Sequence, residues 1–146
     1  MIRMAQEKDV EDVLNHCADF WLHTQFSEEF DREHCRVMVE YAHKSGALVV
    51  VDADGEVVGF SAAVYSPSLG NPVLTGVELA WWVSPEHRKG RNGIALLQFM
   101  EQLAKERGVK YWTMAAMMSS MPEEICALYE RLGYSKAEIS YTKVIK

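Results

Sequence analysis

Residues 77–108 constrain this chain more than any other stretch. Val77-Glu78-Leu79-Ala80-Trp81-Trp82-Val83 reads as a strand, and Ser84-Pro85-Glu86-His87 ends it, because proline donates no amide and restricts the residue before it. Residues 93–107 then carry a wide helical face, with Leu96, Phe99, Met100, Leu103 and Ala104 inward, and Gly108 stands where a helix stop belongs. Between strand and helix lies a basic, glycine-bearing turn, Arg88-Lys89-Gly90-Arg91-Asn92-Gly93. The first amides of a helix have no partner within it, and the aligned peptide dipoles put partial positive charge there, so this arrangement suits an anion such as a phosphate. Taken alone, the segment also fits an ordinary strand-to-helix turn with solvated basic residues. It contains neither the Gly-x-x-x-x-Gly-Lys-Ser/Thr of a P-loop nor the Gly-x-Gly-x-x-Gly of a dinucleotide site.

Composition narrows the remaining classes. A length of 146 residues suits one compact domain over 1–146, and 49% hydrophobic with 25% charged residues is globular composition. No apolar run approaches the ~20 residues of a membrane span, so a soluble protein without membrane partners is expected. The opening Met1-Ile2-Arg3-Met4-Ala5-Gln6-Glu7-Lys8-Asp9 holds no signal-peptide segment, which points to the cytoplasm. Cys17, Cys35 and Cys126 are far apart without metal-like spacing and are read as reduced packing residues. A net charge of −6 disfavours a nucleic-acid partner.

Elsewhere, residues 2–5 suggest a first strand, and Val10, Val13, Leu14, Cys17 and Trp21 recur at helical spacing. A second helix is expected within residues 28–44, with Phe30, Val37, Met38 and Tyr41 on one face. Residues 47–51 and 57–65 flank the turn Asp52-Ala53-Asp54-Gly55-Glu56 and predict a β-hairpin; too few ligands follow for a calcium loop. Residues 66–76, rich in proline and glycine, read as a loop, residues 111–115 as a strand, 123–132 as a helix and 139–144 as a last strand. The order is a mixed α/β layer architecture with helices covering a central sheet.

The stretch Val83-Ser84-Pro85-Glu86-His87-Arg88-Lys89-Gly90-Arg91-Asn92-Gly93-Ile94-Ala95-Leu96-Leu97 resembles the acetyl-CoA-binding segment of the GNAT N-acetyltransferases. Ile2-Arg3-Met4-Ala5 with Asp9 looks like that family's opening, and Ala127-Leu128-Tyr129-Glu130-Arg131-Leu132-Gly133-Tyr134 like its closing helix and strand. The three motifs stand in the family's order and span almost the whole chain. The resemblance implies the GNAT fold: a mixed, largely antiparallel sheet, flanked by helices and splayed after its fourth strand, with the pantetheine arm in the gap. It also implies transfer of an acetyl group from acetyl-CoA to a primary amine by direct attack, without covalent intermediate or metal. Two departures stand out: Arg91 occupies the place of the family's middle glycine, and Pro122 that of an asparagine found in many relatives. They motivate the rival reading, a GNAT-fold module that binds CoA without catalysis.

The resemblance assigns the cofactor to Trp81, Trp82, Val83, Arg88, Lys89, Gly90, Arg91, Asn92, Gly93 and Ile94. Tyr129 matches the family tyrosine near the cofactor sulfur and is the candidate general acid; Glu78 lies where some relatives carry a base, a role a water relay could fill instead. Backbone amides of Trp81, Trp82 and Val83 are the candidate oxyanion donors. His87 is placed at the cofactor rim, and His16, His23, His34 and His43 are read as structural or surface residues. Met114 is assigned to the core. The acceptor is open between a small amine, an aminoglycoside or polyamine, an amino acid, and a protein lysine or N-terminus; a homodimer is compatible with the reading.

Overall fold

The computed structural model describes residues 1–146, which form two compact units, Met1–Ala115 and Ala116–Lys146. In the first, β1 (Ile2–Met4), β2 (Leu48–Ala53), β3 (Glu56–Pro67), β4 (Leu74–Val83) and β5 (Tyr111–Thr113) make one sheet in the order β1-β2-β3-β4-β5. Every pair is antiparallel except β4 with β5. The helices of this unit are α1 (Val10–Trp21), α2 (Arg32–Lys44) and α3 (Asn92–Glu106).

The buried residues fall into two clusters, one for each face of the sheet, as expected when helices cover a sheet on both sides. Val10, Val13 and Leu14 of α1 and Val39 and Ala42 of α2 pack with Leu48, Val50, Phe60, Ala62, Ala80 and Trp82. Leu96 and Met100 of α3 pack with Val49, Val51, Ala63 and Val83. The alternation of Trp82 and Val83 between the clusters is the two-residue period of a strand, so each face of β4 is anchored by a different helix layer.

Turn chemistry fixes the hairpin. Asp54 and Gly55 carry φ of 54° and 91°, the left-handed pair that a tight hairpin needs, and Asp52 accepts from the Gly55 amide at 2.7 Å. Asp52 also accepts from Arg3 at 3.0 Å, so it is a structural residue of the hairpin. Arg3 makes a second, two-pronged pair with Asp9 at 2.7 and 3.1 Å, and the Gln6 amide adds a third bond to the same carboxylate. Asp9 is only 3% exposed, so the opening motif serves to tie β1 to the start of α1.

Three expectations need correcting. The buried side of α2 is Cys35, Val39 and Ala42, which pack with α1 and the sheet, so Val37, Met38 and Tyr41, expected inward, are exposed; the helix starts at Arg32, capped by Asp31, whose side chain accepts from the His34 amide. The loop expected over residues 66–76 shrinks to 68–73, since β3 continues to Pro67 and β4 begins at Leu74. Proline is tolerated there because it closes the end of the ladder. No strand forms over 139–144: Ile139 and Tyr141 alternate with polar residues, but they and Val144 have no ladder partner and are exposed.

In the second unit, α4 (Pro122–Arg131) follows a residue in the left-handed conformation, Met121 with φ 43°, and has proline in its first turn, where a missing amide costs nothing. Gly133, with φ 91°, ends it.

Candidate active site

The site is built on β4. Its parallel pairing with β5 is confined to Thr75, Gly76 and Val77 opposite Tyr111, Trp112 and Thr113. From Glu78 to the strand's end, β4 has no ladder partner on the β5 side, while its other edge stays paired with β3 as far as Val83. The opening therefore begins where Glu78 stands. The same point carries a β-bulge: Ala63 pairs with Glu78 and Ala62 with Ala80, leaving Leu79 as the extra residue. A bulge bends a strand and re-aims the groups after it.

Glu78 is half-buried, and burial pushes its carboxyl up to about 7, against a backbone hydrogen bond from Ala115 that works the other way. A carboxyl with that pKa exchanges its proton near neutrality, as a general base for an amine requires.

Beyond the opening lies the basic turn. Ser84 is followed by a single 3-10 turn, Pro85–His87, closed by the Ser84 hydroxyl against His87 Nδ1 at 3.0 Å. Arg88 folds back on the strand: its Nε donates to the Val83 carbonyl at 2.7 Å and its guanidinium lies 4.5 Å from the centre of the Trp82 ring. The Asn92 side chain donates to the His87 carbonyl at 3.1 Å, and Trp81 Nε1 donates to the Gly93 carbonyl at 3.0 Å, so both ends of the turn are tied down. Lys89, Gly90 and Arg91 are left exposed at its tip.

The helix that follows is not capped by any side chain and has no acidic residue in its first turn. The amides of Asn92, Gly93 and Ile94 thus begin a positive helix end that no carboxylate of its own first turn neutralises, which fits an anionic group there. The two glycines differ. Gly90 has φ 106°, which side-chain-bearing residues rarely adopt, whereas at Gly93 an added Cβ would meet Trp81 at 3.6 Å, ordinary contact. Arg91, which stands in place of a glycine, has φ −110° and ψ 5°. That conformation is open to any residue, so arginine is accommodated without strain.

Glu78, Trp81, Trp82, Val83 and residues 88–94 are therefore consecutive parts of one strand-to-helix connection in the first unit. Tyr129 belongs to the second unit, where it is buried on α4, 5.4 Å between ring centres from Tyr134, whose amide donates to the Tyr129 carbonyl at 3.0 Å. The bulge at Leu79 was missed in the sequence reading, since no glycine or proline marks it. Of the histidines, His16 donates from Nε2 to the Val57 carbonyl at 2.6 Å, a structural bond.

A family model described as the acetyltransferase (GNAT) family matches residues 10–134. No curated protein matches the chain. Among solved structures, it is similar to a ribosomal-protein-alanine N-acetyltransferase from Brucella melitensis biovar Abortus 2308, with 19% identity, a TM-score of 0.75 and 99% of each chain covered. It is also similar to an aminoglycoside acetyltransferase from an uncultured soil metagenomic sample, with 17% identity and a TM-score of 0.74 over 100% of this chain and 98% of that one. A third is a predicted acetyltransferase with acetyl-CoA from Clostridium acetobutylicum, with 14% identity and a TM-score of 0.77 over 99% of this chain and 95% of that one. At these identities the likeness shows a shared fold.

Proposed function

Since the chain belongs to the GNAT acetyltransferase family, we propose that it transfers an acetyl group from acetyl-CoA to a primary amine by direct attack. One observation carries this reading: β4 loses its neighbour at Glu78 and runs with an open edge into an uncapped, positively polarised helix start. A thioester arm laid along that edge would have its phosphates at residues 88–94 and its acyl end near the bulge. The structure of the Clostridium acetobutylicum relative, described as a predicted acetyltransferase with acetyl-CoA, supports this choice of acyl donor.

Acetyl-CoA supplies the activated carbonyl. Glu78 takes a proton from the acceptor's ammonium, directly or through one water, which leaves the neutral amine to attack, and its pKa of about 7 suits that task near neutral pH. The Ser84 amide donates to the Val58 carbonyl on β3, so by the two-residue strand period the Trp82 amide also faces β3, and the amides of Trp81 and Val83, on the open edge, are the donors for the carbonyl oxygen under attack. As the new N–C bond forms and the C–S bond breaks, Tyr129 gives its proton to the departing sulfur, and the second proton shed by the nitrogen returns through water to restore the phenol. Burial of the Tyr129 ring on α4 and its place in the family's closing motif support that assignment.

We assign the activity to residues 1–146 as one domain, because the family match runs through both units. No helix is long and apolar enough to cross a membrane, and a cytoplasmic setting, where free cysteines stay reduced, fits Cys17, Cys35 and Cys126.

The general-acid role is tested with Tyr129→Phe, assayed with a good amine acceptor. A fall in kcat of about 10²-fold or more, the usual weight of general acid catalysis, is expected; turnover at the wild-type level would remove Tyr129 from the mechanism.

A further inference from the structure

The fold brings together two thiols that are far apart in sequence and that the transfer reaction does not use. Cys17 on α1 and Cys35 on α2 are half-buried, pack against the same core cluster, and share a side-chain hydrogen bond across the helix pair. Arg32 ties the two helices together beside them: its guanidinium donates to Asn15 Oδ1 at 3.0 Å and to Glu11 Oε2 at 2.9 Å, both on α1. Helices packed side by side lie ~8–10 Å apart, with Cα atoms ~2.3 Å from each axis, so facing Cα atoms come within the ~4.4–6.8 Å that a disulfide spans. The third free thiol, Cys126, is on α4 in the second unit.

The two thiols of the pair are not equivalent. Cys35 closes the first turn of α2, its amide donating to the Asp31 carbonyl at 3.0 Å, where the helix dipole favours an anion. Cys17 lies in the second half of α1, nearer the negative end. The shared hydrogen bond, and after it burial, holds the Cys17 thiol above its ordinary value. The same bond, helped by the charge of Arg32 and opposed by burial, holds the Cys35 thiol below it. The thiolate is the form that attacks an oxidant, and an adjacent thiol resolves the product, so Cys35 is placed to react first and Cys17 second.

We propose that Cys17 and Cys35 form an oxidation site at which a hydroperoxide converts the facing thiols to a disulfide between α1 and α2. The Cys35 thiolate attacks one peroxide oxygen, the O–O bond breaks, and the departing oxygen takes a proton from water, leaving Cys35 as a sulfenic acid. The Cys17 sulfur then bonds to that sulfur, the S–O bond breaks, and the hydroxide leaves as water with the Cys17 proton. The thiols lose two electrons and the peroxide gains them. The closed bond fixes both ends of the connector at residues 22–31, and a thiol reductant reopens it by exchange.

Hydrogen peroxide treatment of the full chain, alkylation of the remaining thiols and peptide mass mapping without reductant test this. A Cys17–Cys35 cross-linked peptide is expected, formed at a rate independent of protein concentration, with Cys126 still alkylated. In Cys17→Ser the reaction should stop at a Cys35 sulfenic acid that dimedone traps. In Cys35→Ser, labelling of Cys17 should be at least about tenfold lower, the effect of one unit of thiol pKa on the thiolate fraction. Free Cys17 and Cys35 after treatment, cross-links only between copies, or equal dimedone labelling in the two variants would each overturn the proposal. None of these readouts depends on acetyl transfer, so the outcome is separate from the proposed activity.

Discussion

At the level of single residues, the two glycines of the turn separate conformation from space. Gly90 has a positive φ, so Gly90→Ala should destabilise the fold by about 1–2 kcal/mol and weaken acetyl-CoA binding, whereas Gly93→Ala should leave the melting temperature nearly unchanged. Thermal melts of the two variants side by side check this. The sequence marks both positions equally, because a glycine is legible but its dihedral is not. Glu78 offers a second test. Its carboxyl is raised to about 7 by burial, so transfer should rise with pH through about 7, and Glu78→Gln should lose that limb of the profile. The stability effect has a definite sign. A carboxyl whose folded pKa lies above its unfolded value of 4.5 contributes most below about pH 4.5, and that contribution is lost as pH rises through 7. Replacing it with glutamine should therefore raise the melting temperature more at pH 8 than at pH 4. Its place on a strand was readable from the alternation around it, but its burial depends on the bulge at Leu79 and on Ala115, far away in sequence.

Among the elements, β1 and α1 are joined by the Arg3–Asp9 pair, and this junction sets an acid limit. The hydrogen bond from Arg3, above all, holds the Asp9 carboxyl below its usual value of 3.8. A depressed carboxyl stabilises the fold above its unfolded pKa and loses that stabilisation as pH falls through the folded value. Asp9→Ala should cost ~1–3 kcal/mol at neutral pH, because it leaves Arg3 with Asp52 alone and takes the acceptor from the Gln6 amide, and the difference from wild type should shrink in acid unfolding below about pH 4. Chemical denaturation at several pH values measures it. The strand, turn and helix of residues 74–106 were legible because strand period, proline and helical period change over within a few residues. The inward face of α2 was not. Apolar residues lie on both sides of that helix, and only its contacts with α1 and the sheet select Cys35, Val39 and Ala42 over Val37, Met38 and Tyr41. The alternation at 139–144 was a similar false lead, since a strand exists only when an edge is there to receive it.

For the molecule as a whole, the family and a mixed, largely antiparallel sheet splayed after its fourth strand were implied by motifs in sequence, while the strand order and the residue at which β4 opens, Glu78, are properties of strand pairing that no local pattern encodes. The functional account rests on that opening and the helix start beyond it acting together on one acyl donor and one amine. A panel of amines, comprising polyamines, aminoglycosides, amino acids, and peptides with a free lysine or N-terminus, assayed with acetyl-CoA for release of the CoA thiol, tests the account most directly. Thiol release that depends on at least one amine, with an equal amount of amide formed, is the predicted result. Tight CoA binding with no amine-dependent release across the panel would contradict it and leave a CoA-binding module without transfer.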